Sequence, residues 1–359
     1  MNKNLKVCVI GGGIFGLTTS IHLSKYCSSI KVFEKKPVLL DGATKYNHNR
    51  HHFGFHYPRS LETATQCLEA KKDFDKNYKS CIDYSFNNFY AISNKNSKIT
   101  NFDFENFCDK ASLKLSTVNP PNELFHVNQI SKCYKVREGV YDFNKIRTIV
   151  TNRINSLKNI KVIKNAKVTT YVDQEKIINY SISKKKYTEK FDLVINATYD
   201  KINEYILNDK IEMEYNLQEM CQLEINTERF GSTILDGEFP SILPIAGAKN
   251  QYLFAHVKYS QLVKIKSKTI PKEIFKERIP SQINLTLKKS EKYLKILNKS
   301  KLIGSFRIIR AVNIDKKSDS RKSEIIQHKN GNLSIFSGKI ITVETIAKNI
   351  SKLIKSKYK

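Results

Sequence analysis

The apolar positions at the start of the chain predict a strand, a helix and a second strand in direct succession. An unbroken apolar run covers residues 7–10, and apolar residues then recur at helical spacing over residues 17–23. A second short apolar run covers residues 30–33 and ends in an acid, Glu34. A strand, a helix and a strand within about 30 residues form a βαβ unit, so this pattern predicts two neighbouring parallel strands.

Three glycines occupy the turn between the first predicted strand and the helix. Gly11, Gly13 and Gly16 have the Gly-x-Gly-x-x-Gly spacing of dinucleotide-binding proteins. We expect Gly11 to permit the tight turn, Gly13 to let a pyrophosphate approach the backbone, and Gly16 to let the helix pack against the strand. The first helical residues, Ile14 and Phe15, would offer free N–H groups to the phosphates.

Glu34 completes the unit, because an acid roughly 20 residues past the glycines accepts hydrogen bonds from ribose hydroxyls. Its charge would repel a 2′-phosphate, so FAD or NAD is favoured over NADP. The order of strand, glycines, helix, strand and acid predicts a bound dinucleotide, and the unit alone leaves open whether this is FAD or NAD.

The rest of the pattern predicts an α/β fold with two domains. Residues 193–197 form a continuous apolar run that is typical of a buried parallel strand. The remaining short apolar runs, rich in Tyr and Phe, predict a mainly antiparallel β-sheet. We therefore expect a discontinuous Rossmann-like cofactor-binding domain and a β-sheet substrate domain. The first would comprise residues 1–80, 141–204 and 301–359, and the second residues 81–140 and 205–300.

Composition narrows the class of protein. No apolar run in the 359 residues approaches the roughly 18 residues of a membrane helix, so no integral membrane segment is expected. The N-terminal apolar run breaks into glycines and does not read as a signal peptide. Seven cysteines, with no Cys-x-x-Cys pair, predict reduced thiols in a cytoplasmic protein, with neither a disulfide framework nor a metal site.

The formal net charge of +28 raises the question of a nucleic acid partner. Nearly all of the excess is lysine, scattered along the chain apart from residues 184–186 and the C-terminal tail. Scattered lysines are typical of a solvated surface, so we do not expect a nucleic acid partner. A flavin-dependent enzyme that modifies RNA is kept as an alternative that would use this charge.

Two internal stretches carry further motifs. Residues 42–44 read Gly-Ala-Thr and lead into a histidine-rich segment, residues 50–60, which contains His-x-Gly-x-His-Tyr-Pro. Residues 192–198 read Asp-Leu-Val-Ile-Asn-Ala-Thr and are followed by Tyr199.

A fourth motif lies near the C-terminus, where residues 337–342 read Ser-Gly-Lys-Ile-Ile-Thr, preceded by Arg307 and by Ser320-Arg321. With these motifs the chain resembles the D-amino-acid-oxidase-like superfamily of FAD-dependent oxidoreductases over nearly its whole length. The histidine-rich segment is similar to that of L-2-hydroxyglutarate oxidases, and the C-terminal motif is similar to that of FAD-dependent glycerol-3-phosphate dehydrogenases. Tyr199 stands where the superfamily usually has glycine.

The resemblance implies FAD rather than NAD, because NAD enzymes do not return the C-terminus to the cofactor. The cofactor contacts that we expect are Gly11, Gly13, Ile14, Phe15, Gly16, Glu34, Lys35, Ala43, Thr44, Arg50, His51, Val168, Ala197, Gly338, Lys339 and Ile340. Some members of the superfamily attach FAD covalently through a histidine; His51 or His52 would be the position, but we do not expect a covalent link in this chain.

Four residues are candidates for catalysis. His52 and His56 would lie beneath the flavin and could polarise or deprotonate a substrate, because histidine titrates near neutral pH. Arg307 is the candidate for holding an anionic group, since guanidinium pairs with carboxylate or phosphate, whereas Arg310 is expected to be exposed or structural. His256 lies on a strand of the predicted substrate sheet and could face either the flavin or the core.

The resemblance implies a reaction in which a hydride passes from an amine- or hydroxyl-bearing carbon to flavin N5. The substrate would be small, polar and anionic, and an amino acid, a hydroxy acid and a polyol phosphate all remain open, with the histidine-rich segment favouring a hydroxy acid or a sugar-type compound. Oxygen or an electron carrier would accept the electrons. A flavoprotein without turnover is a further alternative.

Overall fold

The computed structural model describes residues 4–172, 175–206, 210–313 and 321–358. Its strands, in chain order, are β1 Lys6–Ile10, β2 Ser29–Phe33, β3 Ile82–Asp83, β4 Asn87–Ser93, β5 Leu115–Val118, β6 Ile130–Val136, β7 Val140–Tyr141, β8 Ile160–Ile163, β9 Ala166–Val172, β10 Ile177–Ile182, β11 Lys185–Lys190, β12 Leu193–Asn196, β13 Met213–Glu224, β14 Phe230–Leu235, β15 Pro240–Pro244, β16 Gln251–His256, β17 Gln261–Ser267, β18 Lys301–Asn313, β19 Glu324–Gln327 and β20 Leu333–Phe336. Its α-helices are α1 Ile14–Leu23, α2 Leu61–Tyr78, α3 Asn101–Lys110, α4 Phe143–Asn155, α5 Ile283–Glu291 and α6 Val343–Lys357.

The first sheet has six strands in the order β19-β20-β12-β1-β2-β8. The five strands from β20 to β8 run parallel, and β19 joins β20 antiparallel at one edge. The apolar run 193–197 supplies β12, which pairs with β1 in the centre. The first two strands and α1 form the βαβ unit that the apolar pattern predicts.

Helices and a small sheet cover the two faces of this first sheet. Helices α1, α4 and α6 pack together on one face around Leu17, Val150 and Ile350. On the other face, Cys8 and Phe33 pack against side chains of the three-stranded antiparallel sheet β11-β10-β9. The sheet is therefore buried on both sides, which explains its continuous apolar runs.

The second sheet has nine strands and is mainly antiparallel, with one parallel pair between β4 and β14. Its main path is β17-β13-β16-β15-β14-β4-β6-β5, and β18 also pairs with β13. One face packs against α5, as in the cluster of Cys221, Phe254 and Ile283. The fold class is thus confirmed as a Rossmann-like α/β unit joined to a mainly antiparallel sheet.

Strand β18 changes one domain boundary. The sequence division assigns residues 301–359 to the first domain, but Lys301–Asn313 pair antiparallel with β13 along its whole length. The strand therefore belongs to the second sheet, and the described residues that rejoin the first sheet begin at 321. The apolar pattern of a strand fixes its faces but not its neighbour, so the sequence alone did not place this strand.

Candidate active site

A cavity of about 630 Å³ lies between the two sheets. Its walls come from the glycine turn after β1, the end of β2, the histidine-rich segment, strands β13 and β18, and the turn before α6. The carboxyl ends of β1, β2 and β12 all point toward it, which is where parallel α/β sheets bind ligands.

The glycine turn is packed so tightly that two of its glycines have no room for a side chain. Gly11 has φ +112°, and a Cβ there would lie 2.5 Å from the carbonyl oxygen of Ala197. A Cβ on Gly16 would lie 2.1 Å from the carbonyl oxygen of Gly11. A Cβ on Gly13 would instead have Thr44 Oγ1 as its nearest atom, at 3.7 Å, on the cavity side. Gly13 thus leaves open the space that a pyrophosphate would occupy.

Glu34 is fixed at the cavity by two backbone hydrogen bonds. Its Oε2 accepts the N–H of Gly12 at 2.8 Å, and its Oε1 accepts the N–H of Lys36 at 2.8 Å. Thr44 Oγ1 accepts the N–H of Ile14, at the first turn of α1, at 3.3 Å. A preorganised carboxylate beside a helix N-terminus is the arrangement that a ribose next to a pyrophosphate requires.

The cavity brings together fourteen of the sixteen expected cofactor contacts, all except Gly16 and His51. Gly16 lies directly behind the turn, where it permits the close packing of α1. His51 is completely buried away from the cavity, with its Nδ1 3.1 Å from the Tyr84 hydroxyl and its Nε2 3.5 Å from Asp75 Oδ1. Of the candidate catalytic residues, His52, His56 and Arg307 border the cavity and His256 does not.

The C-terminal motif forms a second tight turn against the cavity. A Cβ on Gly338 would lie 2.0 Å from the carbonyl oxygen of Arg321. The N–H groups of Gly338 and Lys339 both donate to Ser323 Oγ, at 2.8 and 3.2 Å. Lys339 Nζ lies 4.1 Å from the centre of the Tyr57 ring and donates to its hydroxyl. The turn thus places a buried ammonium beside the histidine-rich segment. Ser320 of the predicted Ser-Arg pair lies outside the described residues.

Arg50 ties the histidine-rich segment to the second sheet. Its Nη1 donates to Glu138 Oε2 at 3.1 Å and to the Tyr90 hydroxyl, and its Nη2 donates to Thr233 Oγ1 and Ser241 Oγ, each at 2.7 Å. Both the guanidinium and the Glu138 carboxylate are almost fully buried. Both terminal nitrogens are committed to protein partners, so the contacts of Arg50 hold the segment in place.

Three histidines on the cavity wall have depressed pKa values. Burial, together with the charges of Lys339 and Arg50, holds the pKa of His52 well below its ordinary value. Burial and the charge of Arg50 lower the pKa of His56 in the same way, and burial lowers the pKa of His48 to about 3. Nδ1 of His52, Nδ1 of His56 and Nε2 of His48 are buried without a hydrogen-bond partner among the described residues. Neutral imidazoles with unsatisfied nitrogens therefore line this end of the cavity.

The register of β18 decides which of its arginines points toward the cavity. Side chains alternate between the two faces of a strand, so Phe306 and Arg310 share one face and Arg307 lies on the other. Phe306 packs against Tyr46 of the cavity wall, with their ring centres 5.2 Å apart. On the same face, Arg310 Nη1 donates to Gln218 Oε1 at 3.0 Å. The cavity face therefore carries Arg310.

Arg307 makes its contacts on the opposite face. Its Nε donates to Glu219 Oε1 at 3.0 Å, and the other oxygen of Glu219 accepts from Ser281 Oγ at 2.9 Å and from the N–H of Gln282 at 3.0 Å. Residues 307–310 all border the cavity because the strand runs along its wall, but the guanidinium of Arg307 is paired away from the histidines.

The same alternation explains the position of His256. Its neighbour Ala255 lies opposite Ser241, which contacts Arg50, so Ala255 points toward the cavity and His256 points away. His256 is buried, and its Nδ1 accepts the N–H of Lys258 at 3.1 Å. Burial lowers the pKa of His256 to about 4. These contacts fit a buried histidine that caps a turn.

Sequence reasoning missed several residues of the site. His48 stands two residues before the histidine-rich segment, and its nearness to that segment was the available signal. Arg310 is expected from the sequence to be exposed or structural, and a lone sequence does not give the strand register that places it on the cavity face. Tyr46 and Gln218 have no motif around them, and only the assembled fold places them on the cavity wall.

Comparison with known proteins identifies the family. Residues 6–198 match the family model described as FAD dependent oxidoreductase, abbreviated DAO, which is more than half of the chain. The chain belongs to this family, and FAD is its cofactor. Three features fit that cofactor: the glycine turn at Gly11–Gly16, which we call the cofactor cradle, the hydrogen-bonded carboxylate of Glu34, and the tight turn at Gly338 and Lys339.

Two fungal relatives are similar in sequence. The FAD-dependent monooxygenase kojA of Aspergillus flavus is 24% identical over 276 residues, which cover 72% of this chain and 63% of the relative. The FAD-dependent monooxygenase FPY4 of Fusarium mangiferae is 22% identical over 240 residues, which cover 66% of this chain and 60% of the relative. The chain thus spans about three fifths of the length of these relatives.

Solved structures share the fold across nearly the whole chain. Glycine oxidase from Geobacillus kaustophilus superposes with a TM-score of 0.72 at 10% identity, covering 98% of this chain and 95% of its own. The L-alpha-glycerophosphate oxidase from Mycoplasma pneumoniae gives a TM-score of 0.71 at 14% identity, covering 97% and 93%. Among the described residues, no helix is long and apolar enough to cross a membrane, and no group of three or more His, Cys, Asp or Glu residues could hold a metal ion.

Proposed function

We propose that this chain removes a hydride from an amine- or hydroxyl-bearing carbon of a small, polar, anionic substrate. FAD bound in the cavity supplies the hydride acceptor, its N5 atom. The cavity between the two sheets holds both the groups expected for the cofactor and a set of side chains suited to such a substrate. Oxygen or an electron carrier would take up the electrons afterwards.

The neutral histidines carry this proposal. Loss of a hydride from a C–OH or C–NH₃⁺ group also requires that a proton leave the oxygen or nitrogen. A neutral imidazole can accept that proton, and His52 and His56 are held neutral by burial and by nearby positive charge. Their unsatisfied Nδ1 atoms also favour a bound partner, because a buried polar atom without a hydrogen bond costs free energy.

Arg310 is the group that we assign to the substrate anion. It lies on the cavity face of β18, and its one hydrogen bond among the described residues goes to the neutral Gln218. The charge of Arg310 also contributes to the lowered pKa values of His48 and His56, so the guanidinium lies near enough to interact with both histidines. A carboxylate or phosphate beside Arg310 would place the neighbouring carbon toward the histidines, since guanidinium fixes an oxyanion in two hydrogen bonds.

The test is anaerobic reduction of the flavin by a panel of hydroxy acids, amino acids and polyol phosphates. We expect one class to bleach the absorbance of the oxidised flavin, and the His52→Ala and His56→Ala variants to slow the reduction about 100-fold or more. A purified protein that never takes up FAD, or a double variant that turns over at the full rate, would overturn the proposal.

The names of the fungal relatives favour a second candidate, in which one atom of O₂ enters the substrate, the other leaves as water, and a reduced nicotinamide supplies the two electrons. Turnover under labelled O₂ separates the two reactions. A monooxygenase places one labelled atom in its product, whereas an oxidase releases the label as hydrogen peroxide.

A further inference from the structure

Tyr199 occupies a backbone conformation that side chains rarely adopt. It follows the end of β12 and has φ +56°, in the left-handed region that glycine enters freely. A tyrosine there is unfavourable unless surrounding contacts hold it, and such residues cluster at functional sites. Tyr199 borders the cavity.

The turn around Tyr199 is fixed from both sides by a buried asparagine. Asn196 Oδ1 accepts the N–H of Thr198 at 3.2 Å and its hydroxyl at 2.6 Å, while Asn196 Nδ2 donates to the carbonyl oxygen of Ile202 at 2.7 Å. The carbonyl oxygen of Ala197 packs against Gly11 in the glycine turn. The backbone of Tyr199 is therefore set by the same elements that form the cofactor cradle.

The side chain of Tyr199 reaches across to the second sheet. Its hydroxyl accepts the N–H of Ala311 at 3.3 Å. Ala311 lies on β18 directly after Arg310, and β18 is paired with β13 on its other side. The phenol is neutral, because burial raises the pKa of Tyr199. One hydrogen bond thus joins the turn after β12 to β18, the strand that carries Arg310.

We propose that Tyr199 is a positioning residue that holds β18 at the spacing from the cofactor cradle at which Arg310 meets the substrate. We call the hydrogen bond between the Tyr199 hydroxyl and the N–H of Ala311 the strut. The assignment of Arg310 rests on the proposed function, whereas the strut rests on the geometry of Tyr199 and Ala311. A glycine at position 199 would fit the backbone without strain but would leave β18 without this support.

The first test measures the strut without any substrate. Tyr199→Phe keeps the ring and removes the acceptor, and amide exchange is followed in the FAD-loaded protein for the peptide covering residues 305–313. Loss of one hydrogen bond of about 1 kcal/mol corresponds to exchange about fivefold faster at Ala311. Tyr205→Phe is the matched control, because the Tyr205 hydroxyl donates to the carbonyl oxygen of Val168, at 3.1 Å and away from β18. Equal exchange in Tyr199→Phe and the parent protein would overturn the strut.

The second test asks whether the strut positions Arg310. With a substrate that reduces the flavin, Tyr199→Phe should raise KM about three- to tenfold and change kcat less than about twofold. Tyr199→Gly, which also relieves the backbone strain, should fold, bind FAD and raise KM at least as far. Faster exchange with an unchanged KM would rule out the positioning role. If no substrate reduces the flavin, the proposed function fails, and the exchange comparison still decides on the strut.

Discussion

The two ends of the cavity are built in different ways. The end at Gly11–Gly16 is made mainly of backbone, from two glycines without room for a Cβ and the N-terminus of α1, and the side-chain carboxylate of Glu34 is fixed beside it. The end at His52 and Arg310 is made of side chains that come from the histidine-rich segment, from two strands of the second sheet and from the turn before α6. The first end depends on residues close together in sequence, and the second on the register of distant strands.

Because of this difference, we expect one end of the cavity to recognise the cofactor and the other end to recognise the substrate. A backbone cradle recognises phosphate and ribose, which every FAD molecule carries, and it has little freedom to vary. Side chains on strands can change without disturbing the glycine turn, so we propose that the histidine end decides the identity of the substrate. The predictions that follow test this separation, beginning with the largest expected effect.

Gly16→Ala should disrupt the backbone end. The new Cβ would meet the carbonyl oxygen of Gly11, and two backbone segments cannot move apart without opening the turn. We expect a loss of about 3 kcal/mol in the free energy of unfolding together with loss of FAD, measured by denaturant titration and by flavin content.

Gly13→Ala should separate folding from binding at the same turn. Its Cβ would enter the open space beside Thr44, so the protein should fold and FAD affinity should fall roughly 5- to 150-fold. Gly304→Ala on β18, where the nearest atom would be 3.6 Å away, is the control that should keep both stability and FAD. Normal FAD binding by Gly13→Ala would contradict the cradle.

Arg310→Met and Arg307→Met compare the two faces of β18 at the histidine end. A lost charged hydrogen bond of about 1.5–3 kcal/mol should lower kcat/KM about 10- to 150-fold in Arg310→Met. Arg307→Met should leave kcat/KM within about twofold, because its partner Glu219 lies on the other face, and should instead lower stability by about 1–3 kcal/mol, since Glu219 remains buried.

A matched measurement of FAD affinity accompanies this pair, since both variants should bind FAD normally. A larger loss of kcat/KM in Arg307→Met than in Arg310→Met would show that the substrate approaches from the opposite face of the sheet. The assignment of the cavity face would then be wrong.

The βαβ unit and its glycine turn could be predicted from the sequence because their information is local, whereas the place of β18 in the second sheet could not. The βαβ unit occupies consecutive residues, and the chemistry of Gly11, Gly13 and Glu34 follows from their spacing alone. The histidine end could be predicted only in part. His52 and His56 stand in one distinctive segment, whereas the choice between Arg307 and Arg310 depends on pairing with β13, which no single-sequence pattern reveals. The same lack of register information left the face of His256 open.

The pH dependence of turnover should show how strongly the histidine end is kept neutral. The pKa values of His52 and His56 lie below the ordinary 6.5, so both remain unprotonated as the pH falls through 6.5, and kcat/KM should hold its plateau there. Lys339→Met removes the largest charge contribution to the low pKa of His52, so the acid limb of its pH profile should move to higher pH. Lys348→Met, on the exposed face of α6 beside Asp73, is the charge-matched control that should not move the limb.

The smallest effect on catalysis is expected at His256, because this histidine belongs to neither end of the cavity. His256→Asn offers an oxygen in place of Nδ1 for the N–H of Lys258, so kcat and KM should each stay within about twofold. The effect should appear in stability instead. Because the pKa of His256 is about 4 in the folded protein and about 6.5 when unfolded, the unfolded chain binds the extra proton between these values, and the parent protein loses stability as the pH falls from 6.5 to 4. Denaturant titrations at several pH values should show a shallower loss in His256→Asn, and a fall in kcat at constant stability would instead place His256 at the reacting atoms.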